Sequence, residues 1–132
     1  MTASDENSQR GELVLRTLAM PADTNPDGDI FGGWLLGQMD IAGGMAARRR
    51  AGGRVATVAV DSMVFHRPVF VGDVLCCYAD LVKVGRTSLS FHIQAWVLRE
   101  GSGEREIVTE GMFTFVAIGP DRKPRLVDGE AS

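Results

Sequence analysis

The chain has 132 residues, 45% of them hydrophobic, and a formal net charge of −3. This length fits one globular domain and leaves little for a second. The small negative charge argues against a broad nucleic-acid-binding surface, which needs a basic face. No apolar run approaches the ~20 residues of a membrane-spanning helix.

The first ten residues are polar and lack the apolar core of a signal peptide. We expect residues 1–10 to form a disordered tail. The only two cysteines, Cys76 and Cys77, are adjacent, so they point to opposite faces of a strand and cannot staple distant segments. Because no C-x-x-C spacing exists, we expect no zinc site. These features are typical of a soluble protein of a reducing cytoplasm.

The next residues predict a strand, one long helix and four more strands. The first strand is predicted over residues 12–20, and Pro and Gly mark a loop over residues 21–29. The helix is expected to begin near Ile30 or Phe31, with Asp29 as its cap, and to end near Arg50. The later strands are predicted over residues 54–66, 74–84, 88–98 and 105–118.

Two of these strands carry informative patterns. The segment 54–66 is almost continuously apolar and β-branched, which predicts that both of its faces are covered. The segment 88–98 alternates between two faces, so one face should be core. Trp96 falls on its polar face, where we expect it to cover a subunit interface.

Short turns between consecutive strands imply antiparallel neighbours. One helix against such a sheet is an α+β domain. The pattern predicts a hot-dog fold, in which one long central helix is wrapped by a curved five-stranded antiparallel sheet, over residues 11–120. Residues 121–132 are expected to be a loose C-terminal tail. One such unit leaves a sheet edge and apolar surface exposed, so at least a dimer is expected.

The helix has an unusual face. Gly33, Gly37, Asp40 and Gly44 are spaced by four, three and four residues, which places them on one side. Three of the four lack a side chain, so this side is a groove that carries one carboxylate. Two explanations remain open: close helix–helix packing across a dimer, with Asp40 paired, or a groove for a thin ligand.

The same face carries groups with useful chemistry. The amides of Gly32 and Gly33 should lack intrahelical partners, at the positive end of the helix dipole, where they can bind a polarised carbonyl oxygen. Asp40, about two turns deeper, can act as a general base on water or as a nucleophile. Asn25, in the preceding loop, can hold a water or a carbonyl. These groups suffice to hydrolyse an activated acyl group.

Residues 15–41, LRTLAMPADTNPDGDIFGGWLLGQMDI, resemble hot-dog acyl-CoA thioesterases of the YciA-like type. The resemblance continues through residues 54–65, 67–69, 71–78 and 84–88, and it covers nearly all of residues 11–125. It implies hydrolysis of an acyl-CoA to a free acid and CoA without a metal or other cofactor, since CoA is part of the substrate.

The resemblance also implies roles for particular residues. Asp40 corresponds to the catalytic carboxylate of the family, and Asn25 to a loop asparagine that lines the same pocket. The two are typically contributed by different subunits of a homodimer, and three dimers commonly form a hexamer. Arg86, Thr87 and Ser88 resemble the segment that meets CoA. Ser62 either lines the pocket or bonds its own backbone.

Two classes of function remain open: a thioesterase that uses Asp40, and a hot-dog module that binds acyl-CoA without hydrolysis. Asp40 beside the glycine amides favours the enzyme, because a binder has no use for a carboxylate next to a thioester. His66 and His92 are the only histidines, and they are far apart in sequence. The loop over residues 25–28 contains no histidine, which disfavours the chemistry of hot-dog dehydratases.

Overall fold

The computed structural model describes residues 9–128. The elements are β1 (Glu12–Leu18), α1 (Gly32–Ala51), β2 (Val55–Phe65), β3 (Val74–Val84), β4 (Ser88–Leu98) and β5 (Arg105–Ala117). Most of the disordered tail predicted over residues 1–10 lies outside the described residues. Within residues 9–128, no helix is long and apolar enough to cross a membrane.

The five strands form one antiparallel sheet in the order β1-β3-β4-β5-β2. Helix α1 crosses one face of this sheet and contacts all five strands. The predicted α+β hot-dog architecture is confirmed. Strand β2, which directly follows α1 in sequence, lies at the edge of the sheet and pairs with β5 alone among the described strands.

The core lies between α1 and the inner face of the sheet. Met39, Ala42 and Ala47 of α1 are fully buried. The inner face of β4 matches the alternation in its sequence, because it supplies Leu89, Phe91, Ile93, Ala95 and Val97. A Cβ atom on Gly43 would lie 2.7 Å from the Phe115 ring. Gly43 therefore lets the helix approach the sheet closely.

The prediction that both faces of residues 54–66 are covered is wrong within one chain. Nearly all of β2 is exposed, and Val58 and Phe65 retain 57% and 55% of their surface. An apolar, β-branched run indicates that a strand needs cover, but it does not reveal whether the same chain supplies that cover. β2 is therefore an exposed apolar edge strand.

The start of α1 also differs from the prediction. Its N-cap is Phe31, without a side-chain hydrogen bond, rather than Asp29. Ile30 is buried and donates its amide to the Val69 carbonyl, 3.2 Å away, which keeps the chain extended past Asp29. The helix ends at Ala51, and Gly52 has a φ of 72°, a left-handed conformation typical of glycine after a helix.

The segment that follows β5 packs against the domain instead of forming the loose tail that was expected. The Arg125 amide donates to the Ala117 carbonyl, and the Val127 amide donates to the Arg86 carbonyl. The Val127 side chain is buried, and Arg50 of α1 pairs with Asp128 at 2.9 Å. The remainder of the predicted tail, residues 129–132, lies outside the described residues.

Trp96 is covered by its own chain. It is 1% exposed and packs on the outer face of the sheet with Cys76, Tyr78 and Ile107. The Arg105 guanidinium lies 4.4 Å from the centre of its ring. The expected subunit interface at Trp96 is therefore not needed to bury this side chain.

Candidate active site

Asp40 lies on the side of α1 that faces β2. Its carboxylate oxygen Oδ1 accepts a hydrogen bond of 2.7 Å from Thr57 Oγ1 on β2. A cleft of about 310 Å³ opens beside this pair and is lined by Gly33, Leu36, Gly37, Asp40, Thr57, Val60 and Phe113. The pair therefore lies in a space large enough for a ligand, with an apolar wall on one side.

The glycine face predicted from the sequence divides into two parts. Gly33 and Gly37 line the cleft, and a Cβ atom on either would meet nothing within 4 Å among the described residues. Gly44 does not line the cleft, and a Cβ atom on it would touch the Phe115 ring at 3.9 Å. In the single chain, the first two glycines therefore leave space rather than permit close packing.

Gly32 and Gly33 are the first two residues of α1. Their amides have no intrahelical acceptor and point out at the positive end of the helix dipole. Gly33 lines the Asp40 cleft, whereas Gly32 lines a neighbouring groove next to Phe65 and His66. Of the predicted pair, Gly33 therefore lines the Asp40 cleft of this chain and Gly32 does not.

Asn25 organises its own loop. Its side-chain oxygen accepts hydrogen bonds from the amides of Asp27 at 2.9 Å and Asp29 at 3.1 Å. The side-chain amide group is therefore the part of Asn25 that can act on a ligand, as a donor. Asn25 does not line the Asp40 cleft of its own chain.

Ser62 occupies a β-bulge in β2. The register of β2 against β5 shifts between Asp61 and Val64, and Ser62 has a φ of 56°. The bulge turns Met63 onto the core, over Gly111, where any Cβ atom would clash with the methionine sulfur. Ser62 does not line the Asp40 cleft in this chain.

Arg86 and Thr87 lie in the turn between β3 and β4, and Ser88, the first residue of β4, closes that turn. Their carbonyls are anchored, because that of Ser88 accepts from Gly85, that of Thr87 from Ala117 and that of Arg86 from Val127. The Arg86 side chain is exposed. The turn presents a fixed backbone and an exposed cation, away from the residues that line the Asp40 cleft.

Thr57 is the site residue that sequence reasoning missed. It is a polar side chain in an apolar strand, but β-branched threonines are ordinary in strands. Only the packing of β2 beside α1 brings it onto Asp40, 17 positions earlier in the chain. The residue type alone gave no signal.

The buried thiol of Cys77 does not supply an alternative nucleophile. Burial raises the pKa of the Cys77 thiol to about 12, with a smaller contribution from Cys76. Such a thiol is not a nucleophile at neutral pH. Among residues 9–128, no group of three or more His, Cys, Asp or Glu side chains has a geometry that can hold a metal ion.

Comparison with known proteins shows the family to which the chain belongs. A sequence profile described as the thioesterase superfamily matches residues 27–103. The acyl-CoA thioester hydrolase YciA of Salmonella typhimurium is 59% identical over 128 residues, which cover 95% of this chain and 96% of the relative.

Two solved structures are similar throughout. The hexameric thioesterase y2039 from Yersinia pestis is 54% identical, with a TM-score of 0.89, over 93% of this chain and 100% of the other. The hexameric broad specificity acyl-coenzyme A thioesterase HI0827 is 48% identical, with a TM-score of 0.90, over 98% of this chain and 90% of the other. The chain therefore belongs to the thioesterase superfamily, in its group of YciA-like acyl-CoA thioester hydrolases.

Proposed function

We propose that this protein hydrolyses the thioester of an acyl-CoA to a free carboxylic acid and CoA. The observation that carries the proposal is the Asp40 carboxylate, held by Thr57 in a cleft that also contains the first turn of α1. The relatives' names describe the same reaction, and the protein is an enzyme of the hydrolase class.

The chemistry requires one base and one carbonyl binder. The thioester carbonyl lies with its oxygen towards the amides of Gly32 and Gly33, which stabilise the negative charge that develops there. Asp40 takes a proton from a water, and the water oxygen attacks the carbonyl carbon. The tetrahedral intermediate then expels CoA as a thiolate, which takes up the proton held by Asp40 and leaves that carboxylate ionised for the next turnover.

Thr57 positions the base. Because its hydroxyl donates to Oδ1, the other carboxylate oxygen, Oδ2, is left to meet water or substrate. A second route uses the same geometry: Oδ2 attacks the carbonyl carbon, the C–S bond breaks with release of CoA thiolate, and water hydrolyses the resulting mixed anhydride. A single turnover in H₂¹⁸O followed by mass analysis of the protein tests the second route. Label in Asp40 shows the anhydride with water attack at the Asp40 carbonyl carbon, whereas the base route labels the product acid alone.

We propose that the active site is completed by a partner subunit. Asn25 does not line the Asp40 cleft of its own chain, so its side-chain amide acts in the cleft of the partner in a homodimer. The exposed apolar strand β2 supplies surface for such a dimer. The similar thioesterases y2039 and HI0827 are hexameric, which supports a trimer of dimers.

We assign recognition of CoA to the turn of Arg86, Thr87 and Ser88. The exposed Arg86 guanidinium is suited to a phosphate, and the anchored backbone of the turn keeps its position constant. Ser62, held in the bulge of β2, is assigned to the wall of the pocket in the assembled protein. The reaction needs no separate cofactor, and we place it in the cytoplasm.

Release of free CoA thiol from acyl-CoAs of short to long chain length tests the proposal. We expect turnover with at least one of them. Binding of acyl-CoA without release of thiol from any of them would contradict hydrolysis and would indicate a binding module instead.

A further inference from the structure

A cluster of two imidazoles and one carboxylate lies on the outer face of the sheet, opposite α1. His66 Nε2 lies 2.9 Å from Glu110 Oε2, and His92 Nε2 lies 2.9 Å from Glu110 Oε1. Each oxygen of one carboxylate therefore meets one imidazole. The two histidines that are far apart in sequence share Glu110 as a partner.

This cluster joins three strands. His92 lies on β4, Glu110 on β5, and His66 directly follows the edge strand β2. The backbone amides of His66 and Arg67 donate to the Val108 carbonyl of β5, at 2.7 and 3.2 Å. The bulge at Ser62 interrupts the pairing of β2 just before this point. The cluster therefore supports a short strand end that the bulge separates from the rest of β2.

The geometry favours uncharged imidazole at His92. When Glu110 is ionised, both histidines donate their Nε2–H groups to it. The other nitrogen of His92, Nδ1, is buried without a hydrogen-bond partner in the described structure. A second proton on His92 would therefore bury an N–H donor without an acceptor, which costs free energy. His66 is less enclosed, with 34% of its side chain exposed.

The charges around His92 come from every neighbouring segment. Glu110 faces it from β5, Asp80 from β3, and Arg10 from the residues before β1, while His66 shares its carboxylate. Arg10 is itself paired with Asp80 at 3.0 Å. Burial, and then the charge of Arg10, lower the pKa of His92, and the two carboxylates offset only part of this.

The sign of the pH dependence follows from this direction. Because the pKa of His92 is lower in the folded than in the unfolded chain, the unfolded chain binds more protons as pH falls through the ordinary range of histidine. The contribution of His92 to stability is then lost on acidification. Burial alone would raise the pKa of Glu110, but the two histidines and a hydrogen bond from Gln94 lower it, so Glu110 is ionised in the ordinary range of histidine.

We propose that the cluster of His66, Glu110 and His92 is a pH-sensitive switch. It keeps the end of β2 paired with the sheet at neutral pH and releases it on mild acidification. β2 carries Thr57, which donates a hydrogen bond to Asp40, so the switch acts on the strand that positions Asp40. The proposal does not depend on the reaction that the cleft performs.

Hydrogen exchange of the His66 and Arg67 amides tests this pH-sensitive switch. Protection factors, corrected for intrinsic exchange, are compared at about pH 7.5 and about pH 5.5 in the assembled protein. In the wild type we expect protection to fall by about threefold to tenfold on acidification. In His92→Gln, which keeps an amide donor but cannot be protonated, we expect an unchanged protection.

The matched control is His66→Gln, which makes the same substitution on the other side of Glu110. Because His92 is intact, this variant should lose protection on acidification as the wild type does. An equal loss in His92→Gln and the wild type would overturn the proposal, as would a wild type whose protection does not change. The midpoint of thermal unfolding, measured at both pH values, should follow the same order.

Discussion

The hydrogen bond between Asp40 and Thr57 joins a residue that the sequence indicated to one that it did not. Asp40 was predictable because helical spacing places it on the glycine face with Gly33, and both line the same cleft. The contact with Thr57 arises only when β2 lies beside α1. The reach of Asn25 stays a prediction, since it depends on a second chain.

Replacement of Thr57 by valine removes the hydroxyl and keeps the shape. We expect kcat to fall by about tenfold with KM changed little, because a less well oriented base acts on a substrate that still binds. Thr57→Ser keeps the donor and should retain most of the activity. Steady-state release of CoA thiol measures both variants, and equal kcat in Thr57→Val and the wild type would exclude a positioning role.

At the scale of elements, α1 and β4 agree closely with the sequence because their apolar periodicity is local. The start of α1 differs from the prediction, because the hydrogen bond from the Ile30 amide to the Val69 carbonyl keeps the chain extended past Asp29. The bulge at Ser62 was also unpredictable, since a serine in a strand gives no sign of a positive φ. In each case a contact distant in sequence overrides the local pattern.

Two glycines of α1 should respond differently to alanine. Gly43→Ala places a Cβ atom 2.7 Å from the Phe115 ring, so we expect a loss of about 1–3 kcal/mol in the free energy of unfolding. Gly33→Ala meets open space and should change stability by less than about 0.5 kcal/mol. It should nevertheless lower kcat/KM, because the methyl group enters the cleft.

Denaturant unfolding and thiol release measure these two effects separately. If Gly33→Ala destabilised the fold as much as Gly43→Ala does, the first turn of α1 would be a packing surface. That result would contradict a substrate-binding role for the cleft.

At the scale of the whole molecule, the single chain leaves β2 exposed and its cleft open on one side. The sequence predicted the need for cover through the apolar run of residues 54–66, but not its source. Val58, in the middle of this strand, is 57% exposed and belongs to the apolar surface that the single chain leaves uncovered. Thr57 and Val60 of β2 line the Asp40 cleft, so a second subunit that covers β2 would lie next to the active site and could share it.

Val58→Lys tests this arrangement, because a charge is costly in an apolar interface. We expect light scattering to show smaller assemblies and thiol release to fall together with assembly. The control is Glu104→Lys, which also introduces a lysine but lies on the exposed loop between β4 and β5. It should leave the size of the assembly and the rate of thiol release unchanged. A fully active monomer of Val58→Lys would contradict a site shared between subunits.

The central claim is that Asp40 performs hydrolysis in this cleft. The most direct measurement is kcat for release of CoA thiol by Asp40→Asn beside the wild type and Glu104→Gln, with the unfolding midpoint and the affinity for CoA measured on each. We predict that Asp40→Asn loses at least about a hundredfold in kcat while its folding and its affinity for CoA stay close to those of the wild type. Wild-type turnover in a folded Asp40→Asn variant would contradict the account.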